Sequence, residues 1–114
     1  MMPRTSKIAE APPQAVADAL SRLGRNIRLA RLRRRLRLVD VAEKVGVSRF
    51  VVANVERGKP TTAMAAYLGT LWALGLLDQV DELAHPDRDE EGKVLERSRT
   101  PRTARTGRVL DRDF

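Results

Sequence analysis

The chain has 114 residues, with 22 Lys and Arg against 15 Asp and Glu, a formal net charge of +7, and no cysteine. That length suits one compact domain with tails. The composition excludes a disulfide framework and a thiolate metal site. No apolar run approaches the ~18 residues of a membrane span, and the first residues lack the apolar block of a secretory signal, so a soluble cytoplasmic protein is expected. The charge is uneven. Residues 1–40 carry ten basic and three acidic side chains, 41–84 four and five, and 85–114 eight and seven. The excess lies in the first third, as expected of a protein that meets a polyanion.

Residues 1–13 are polar and read as a flexible arm. Arg4 and Lys7 either track a nucleic-acid groove or belong to a plain mobile terminus. A first helix starts near Pro13 or Gln14, because Pro is tolerated in a first turn. Val16, Leu20, Leu23, Ile27 and Ala30 recur at steps of four, three, four and three and form one apolar stripe. Gly24 inside it costs ~1 kcal/mol relative to Ala, so a bend or a fresh start is expected there.

From Arg22 to Arg37 there are eight arginines and no acidic residue. Such a helix repels itself, and a phosphate backbone would relieve the repulsion and release counterions. Arg33, Arg34, Arg35 and Arg37 are the candidates for that contact; a solvated basic face is the alternative. Leu29 and Leu32 fall off the core stripe. They form either an exposed patch for a partner or a surface covered by the C-terminal segment. Leu36 turns toward the core.

Leu38 to Gly58, LVDVAEKVGVSRFVVANVERG, reads as two short helices joined by a tight turn. Val41, Val45, Val52 and Val55 share a core-facing phase. Ala42 is small where the helices cross. Gly46 marks the turn, Ser48 is an N-cap, and Gly58 ends the second helix. This is the pattern of a DNA-binding helix-turn-helix, whose second helix enters the major groove. With Val52 and Val55 inward, Arg49, Phe50, Ala53 and Asn54 face outward. Arg49 suits guanine N7 and O6, Asn54 suits adenine N6 and N7, Phe50 suits a thymine methyl, and Ser48 suits a phosphate.

Gly58-Lys59-Pro60 is a loop in which Lys59 is a further phosphate candidate. Thr61 or Thr62 caps a helix over about 62–74, with Met64, Leu68, Leu71 and Leu74 on its core face. Trp72 reads as partial core or dimer seam, since a cation cage needs several aromatics together. After Gly75, a fifth helix over about 76–84 turns Leu76, Val80 and Leu83 inward. His85 is a loop residue. Residues 90–97 suit a short helix around Val94 and Leu95, and beyond Ser98 the Arg- and Thr-rich tail has too little apolar mass to fold alone. No nucleophile–base pair, phosphate-cradling loop or metal cluster is legible, so no catalytic residue, metal or cofactor is expected.

GVS followed by VERGK, within the apolar frame just described, resembles the Cro/cI-type (XRE) helix-turn-helix regulators. The resemblance implies an all-α, five-helix lambda-repressor-like domain over residues 14–84, between a flexible arm over 1–13 and a mostly disordered basic tail over 85–114. It implies a repressor that binds an inverted-repeat operator as a homodimer. Ser48, Arg49, Phe50 and Asn54 would read bases, and Arg31 would pair with Glu56 between the first helix and the end of the recognition helix. Two departures stand out. Arg37-Leu38 replaces the usual Thr-Gln or Ser-Gln pair, which loses a cap, and the phosphate contact passes to Arg37. Arg35 replaces the usual Gly at the end of the first helix, so that helix runs one turn longer or holds a strained residue. Residues 71–99 further resemble HipB-like antitoxins, which implies autoregulation of a toxin–antitoxin operon and a HipA-like kinase toxin as partner. A second possibility is a protein-interaction module that works through Leu29, Leu32, Trp72 and the tail.

Overall fold

A computed structural model of the chain describes residues 6–99, and every regular element among them is helical. The elements are α1 (Lys7–Glu10), α2 (Gln14–Arg33), α3 (Leu38–Val45), α4 (Arg49–Glu56), α5 (Met64–Ala73), 3-10 segments Leu77–Glu82 and Pro86–Arg88, and α6 (Glu90–Arg99). No helix among the described residues is long and apolar enough to cross a membrane. The chain divides into two compact units, Met1–Val80 and Asp81–Phe114, where the expected five-helix domain ended at 84.

In the first unit α2 presents the expected stripe. Ile27 is buried, Leu20, Leu23 and Ala30 pack against the core, and Val16 at the open end is 38 % exposed. α2 runs unbroken through Gly24, against the expected bend. The reason lies in packing rather than propensity. Gly24 is buried against the end of α4, where a Cβ would collide with the Glu56 carbonyl and stand 2.8 Å from the Gly58 nitrogen. Gly58, at φ +69°, reciprocates against the Leu20 carbonyl. Two glycines thus let two backbones meet.

Val41, Ala42, Val52 and Val55 are buried, as their phase requires. The turn passes through Gly46 at φ +85°, and the Ser48 hydroxyl accepts from the Val51 N–H at the start of α4. The helix over 62–74 starts later than expected, at Met64 after Ala63, with no side-chain cap. Thr62 is spent in the loop, where its N–H donates to the Lys59 carbonyl. The inward phase of α5 is set by Tyr67, Thr70, Leu71 and Leu74, which leaves Met64 at its edge, 65 % exposed. The Tyr67 hydroxyl donates to the Lys59 carbonyl at 2.9 Å and ties the loop to the core, and burial pushes its pKa up.

The expected fifth α-helix is instead the 3-10 segment Leu77–Glu82. Leu76 and Val80 pack against the core, but Leu83 is exposed, so too little apolar face remains to hold successive α-turns. Residues 6–13, expected as part of a flexible arm, carry the short helix α1, capped by Ser6. In the second unit the short helix expected over 90–97 is α6, which runs from Glu90 to Arg99 and follows the 3-10 segment Pro86–Arg88. Asp89 accepts from the Gly92 N–H at the start of α6, Lys93 reaches the Asp87 carbonyl and Glu90, and His85 Nδ1 accepts from the Asp87 N–H. Residues 1–5 and 100–114, with Arg4 and most of the expected basic tail, lie outside the described residues.

Both departures at the α2–α3 junction have a structural form. α2 ends at Arg33, and Arg35 takes the left-handed position at φ +55°. Its N–H donates to Leu32 and that of Leu36 to Arg31, the Schellman closure that Gly58 makes at the end of α4. Arg35 is therefore the strained residue, and the extra turn does not form. At the start of α3, Asp40 reaches back instead of a Ser or Thr reaching forward. Its carboxylate accepts from the Arg37 N–H at 2.7 Å and pairs with the Arg37 guanidinium at 2.9 Å. The guanidinium and backbone hydrogen bonds of Arg37 hold the Asp40 carboxyl below its usual value.

Two substitutions separate packing from propensity. Gly24→Ala gains about 1 kcal/mol in helix propensity but forces a backbone displacement of the kind that costs about 1–3 kcal/mol or more. A net loss of about 2 kcal/mol is expected, with a fall in melting temperature of about 10 °C. Arg35→Gly removes a left-handed L-residue costing about 1–2 kcal/mol, partly offset by glycine's greater unfolded freedom. Its melting temperature is expected to rise by about 3–5 °C.

Candidate nucleic-acid interface

α4 packs against α2, α3 and α5. Its inner side is committed: Val52 and Val55 are each 0 % exposed. Glu56 is buried with Arg31, whose Nε and Nη2 donate to the two carboxylate oxygens at 2.6 and 3.0 Å. The third arm, Nη1, donates to the Leu36 carbonyl at 2.9 Å. The Glu56 hydrogen bond raises the Arg31 guanidinium above its ordinary value. This is a structural ion pair, with every guanidinium direction that faces protein in use.

The leading end of α4 is open. Ser48, Arg49 and Phe50 are exposed, Phe50 by 66 %. The Arg49 guanidinium lies over the Phe50 ring, 5.2 Å from its centroid. Ser48 uses its oxygen as an acceptor inside the helix cap, which leaves its proton to donate outward. Ala53 and Asn54 are half-buried rather than fully on the outer side. Asn54 lines an open groove of about 560 Å³ with Val45, Val47, Val51, Thr62 and Ala66. Its Oδ1 accepts from Arg57 Nη2 at 2.6 Å.

Arg57 is the residue that sequence reading missed. It is exposed, and it follows Asn54 by three and Phe50 by seven, so it shares their helical phase. That spacing was the available signal.

The basic candidates separate into two groups. Arg33, Arg34, Arg35, Arg37 and Lys59 are all exposed. Arg33 and Arg34, however, line a second groove with Asn26, Leu29, Leu76 and Gln79, to which α4 contributes no residue. Arg34 is anchored there through Nη1 to the Ala30 carbonyl at 2.8 Å. Arg37 flanks the start of α3. Lys59 follows α4, its backbone held between the Asn54 carbonyl and the Tyr67 hydroxyl.

Of the three partner-surface candidates, Leu29 and Leu32 are 48 % and 44 % exposed on α2. Trp72 is 51 % exposed on α5, with Lys44 Nζ over its ring at 5.3 Å and donating to the Ala73 carbonyl. It is no core residue, and Lys44 of α3 lies over its ring. Among the described residues no three or more His, Cys, Asp or Glu side chains are placed to hold a metal ion.

No family model, no curated protein and no solved structure matches this chain.

Proposed function

We propose that the chain is a sequence-specific DNA-binding repressor with a lambda-repressor-like domain, in which the 3-10 segment Leu77–Glu82 stands where a fifth helix was expected. The observation that carries this reading is the sidedness of α4: Val52 and Val55 are fully buried while Ser48, Arg49 and Phe50 at its leading end are exposed. A helix so held offers its first turn to the major groove. Arg37 and Arg35 before it and Lys59 after it supply phosphate contacts that set register without reading sequence.

The energies favour this use. Arg49 resting on Phe50 gains about 0.5–1 kcal/mol at an exposed site, whereas a bidentate pair with guanine contributes about 1–3 kcal/mol of discrimination. The arginine leaves the ring when the right base arrives, and Phe50 is then open to a thymine methyl. The Asn54 carbonyl oxygen has two lone pairs. Arg57 occupies one and orients the amide, and the other remains for an adenine N6 donor. Eight residues span about 12 Å, too short to specify a site alone, so the protein acts as a two-fold dimer on half-sites about 34 Å apart. The autoregulating-antitoxin form of this reading, with a HipA-like kinase as partner, rests on the resemblance of residues 71–99 alone.

In vitro selection from randomised duplexes is expected to enrich an inverted repeat. Arg49→Ala and Asn54→Ala should each weaken binding to the enriched site about 5- to 150-fold while leaving a scrambled site unchanged; equal affinity of the wild-type chain for both sites overturns the reading. Arg57→Ala should relax preference at the base read by Asn54. Affinity should also fall steeply with salt, and Arg37→Ala or Lys59→Ala should each flatten the log–log slope by about 0.9, measured by fluorescence anisotropy between 50 and 200 mM salt.

A further inference from the structure

The outward face of α2 has a composition that DNA reading does not use. Taking 100° per residue, Arg22, Arg25, Leu29, Leu32 and Arg33 share one side, opposite Ile27 and Arg31, and all five are exposed. No acidic residue follows Asp18 on this helix. At its C-terminal end the face opens into a groove of about 300 Å³, with Leu29 and Leu76 as apolar lining, Arg33 and Arg34 as cations, and Asn26 and Gln79 as amides.

We propose that this face and groove dock an acidic amphipathic segment of a partner protein. The charge ring selects the occupant's sign. The leucines select its class: a phosphate backbone gains nothing from two half-exposed leucines, whereas apolar side chains flanked by Asp or Glu fill the groove and pair with the arginines. A bilayer surface meets convex ridges, and a groove between Leu29 and Leu76 is concave. Arg34, already tethered to the Ala30 carbonyl, holds its guanidinium with less freedom to lose, which favours a bidentate carboxylate contact. No residue of α4 lines the groove, so Arg49 on α4 serves as a control outside the site.

The test is to pan a phage library of 16-residue peptides against the immobilised full chain, and then to titrate the enriched peptide made synthetically. The expected result is enrichment of sequences with apolar residues at i and i+4 flanked by Asp or Glu. The affinity of the selected peptide should fall at least tenfold in Arg33→Glu/Arg34→Glu and in Leu29→Glu, fall less in Arg33→Lys/Arg34→Lys, which keeps the charge but loses the bidentate fork, and be retained in Arg49→Ala. Circular-dichroism melts of each variant separate a lost site from a lost fold. Enrichment without acidic bias, no enrichment, or binding indifferent to the charge reversal overturns the proposal. So does phosphatidylglycerol-vesicle binding that is lost in the same variants while no peptide binds. A salt slope for DNA that flattens by about 0.9 in Arg33→Ala or Arg34→Ala also overturns it. If the chain selects no DNA site, the peptide titration still decides this proposal by itself.

Discussion

A buried guanidinium gripping a buried carboxylate sets the geometry from which the rest of the first unit follows. Arg31 on α2 reaches both oxygens of Glu56 at the end of α4, and its remaining arm takes the Leu36 carbonyl beyond the end of α2. One side chain thus connects the long helix, the link into α3, and the far end of the exposed helix. Desolvating two charges costs several kcal/mol per ion, and an apolar pair of similar volume would serve stability as well. What the ion pair adds is direction: its fork geometry fixes how far along α2 the end of α4 must stand. No buried side-chain polar atom among the described residues lacks a hydrogen-bond partner, so the polar core is a complete set.

The pair can form only because the backbones come close. Gly24 and Gly58 press against Glu56 and Leu20 at separations that any Cβ would forbid. Glycine on α2 is poor for the isolated helix and necessary for the assembled one. Its cost, about 1 kcal/mol, is small against that of displacing a packed backbone. The same close approach holds α4 rigidly from one side, while its open side carries weak contacts: a ring under a guanidinium and an amide shared with Arg57. Rigid support beneath adaptable side chains is what a recognition surface needs, because the strength of a bidentate contact depends on where the backbone places it.

Basic charge lies on more than one surface. The arginine run reads as a single block along the chain, yet helical geometry distributes it. Arg31 turns inward, Arg35 and Arg37 stand at the junction before α3, and Arg33 and Arg34 open onto the groove beside Leu29 and Leu76. A count of charges measures attraction to a polyanion but does not say which face meets it.

Periodicity and residue chemistry determined the helical class, the inward valines, the turn at Gly46 and the cap at Ser48, while the pairing of Arg31 with Glu56 came from the resemblance. These are local features, written in spacing and in residues with narrow conformational or hydrogen-bonding roles. Tertiary structure decided the rest. Gly24 looked like a flaw because its partner backbone lies more than thirty residues away in sequence. Met64 and Leu83 looked like core because hydrophobicity does not reveal which helical phase finds a neighbour. Asp40 took over the cap at Arg37, and Arg57 joined Asn54, because each depends on a side-chain rotamer that spacing permits but does not select. Local sequence specifies which elements form; only the packed molecule fixes which surfaces they share, since burial and close approach are properties of pairs of segments.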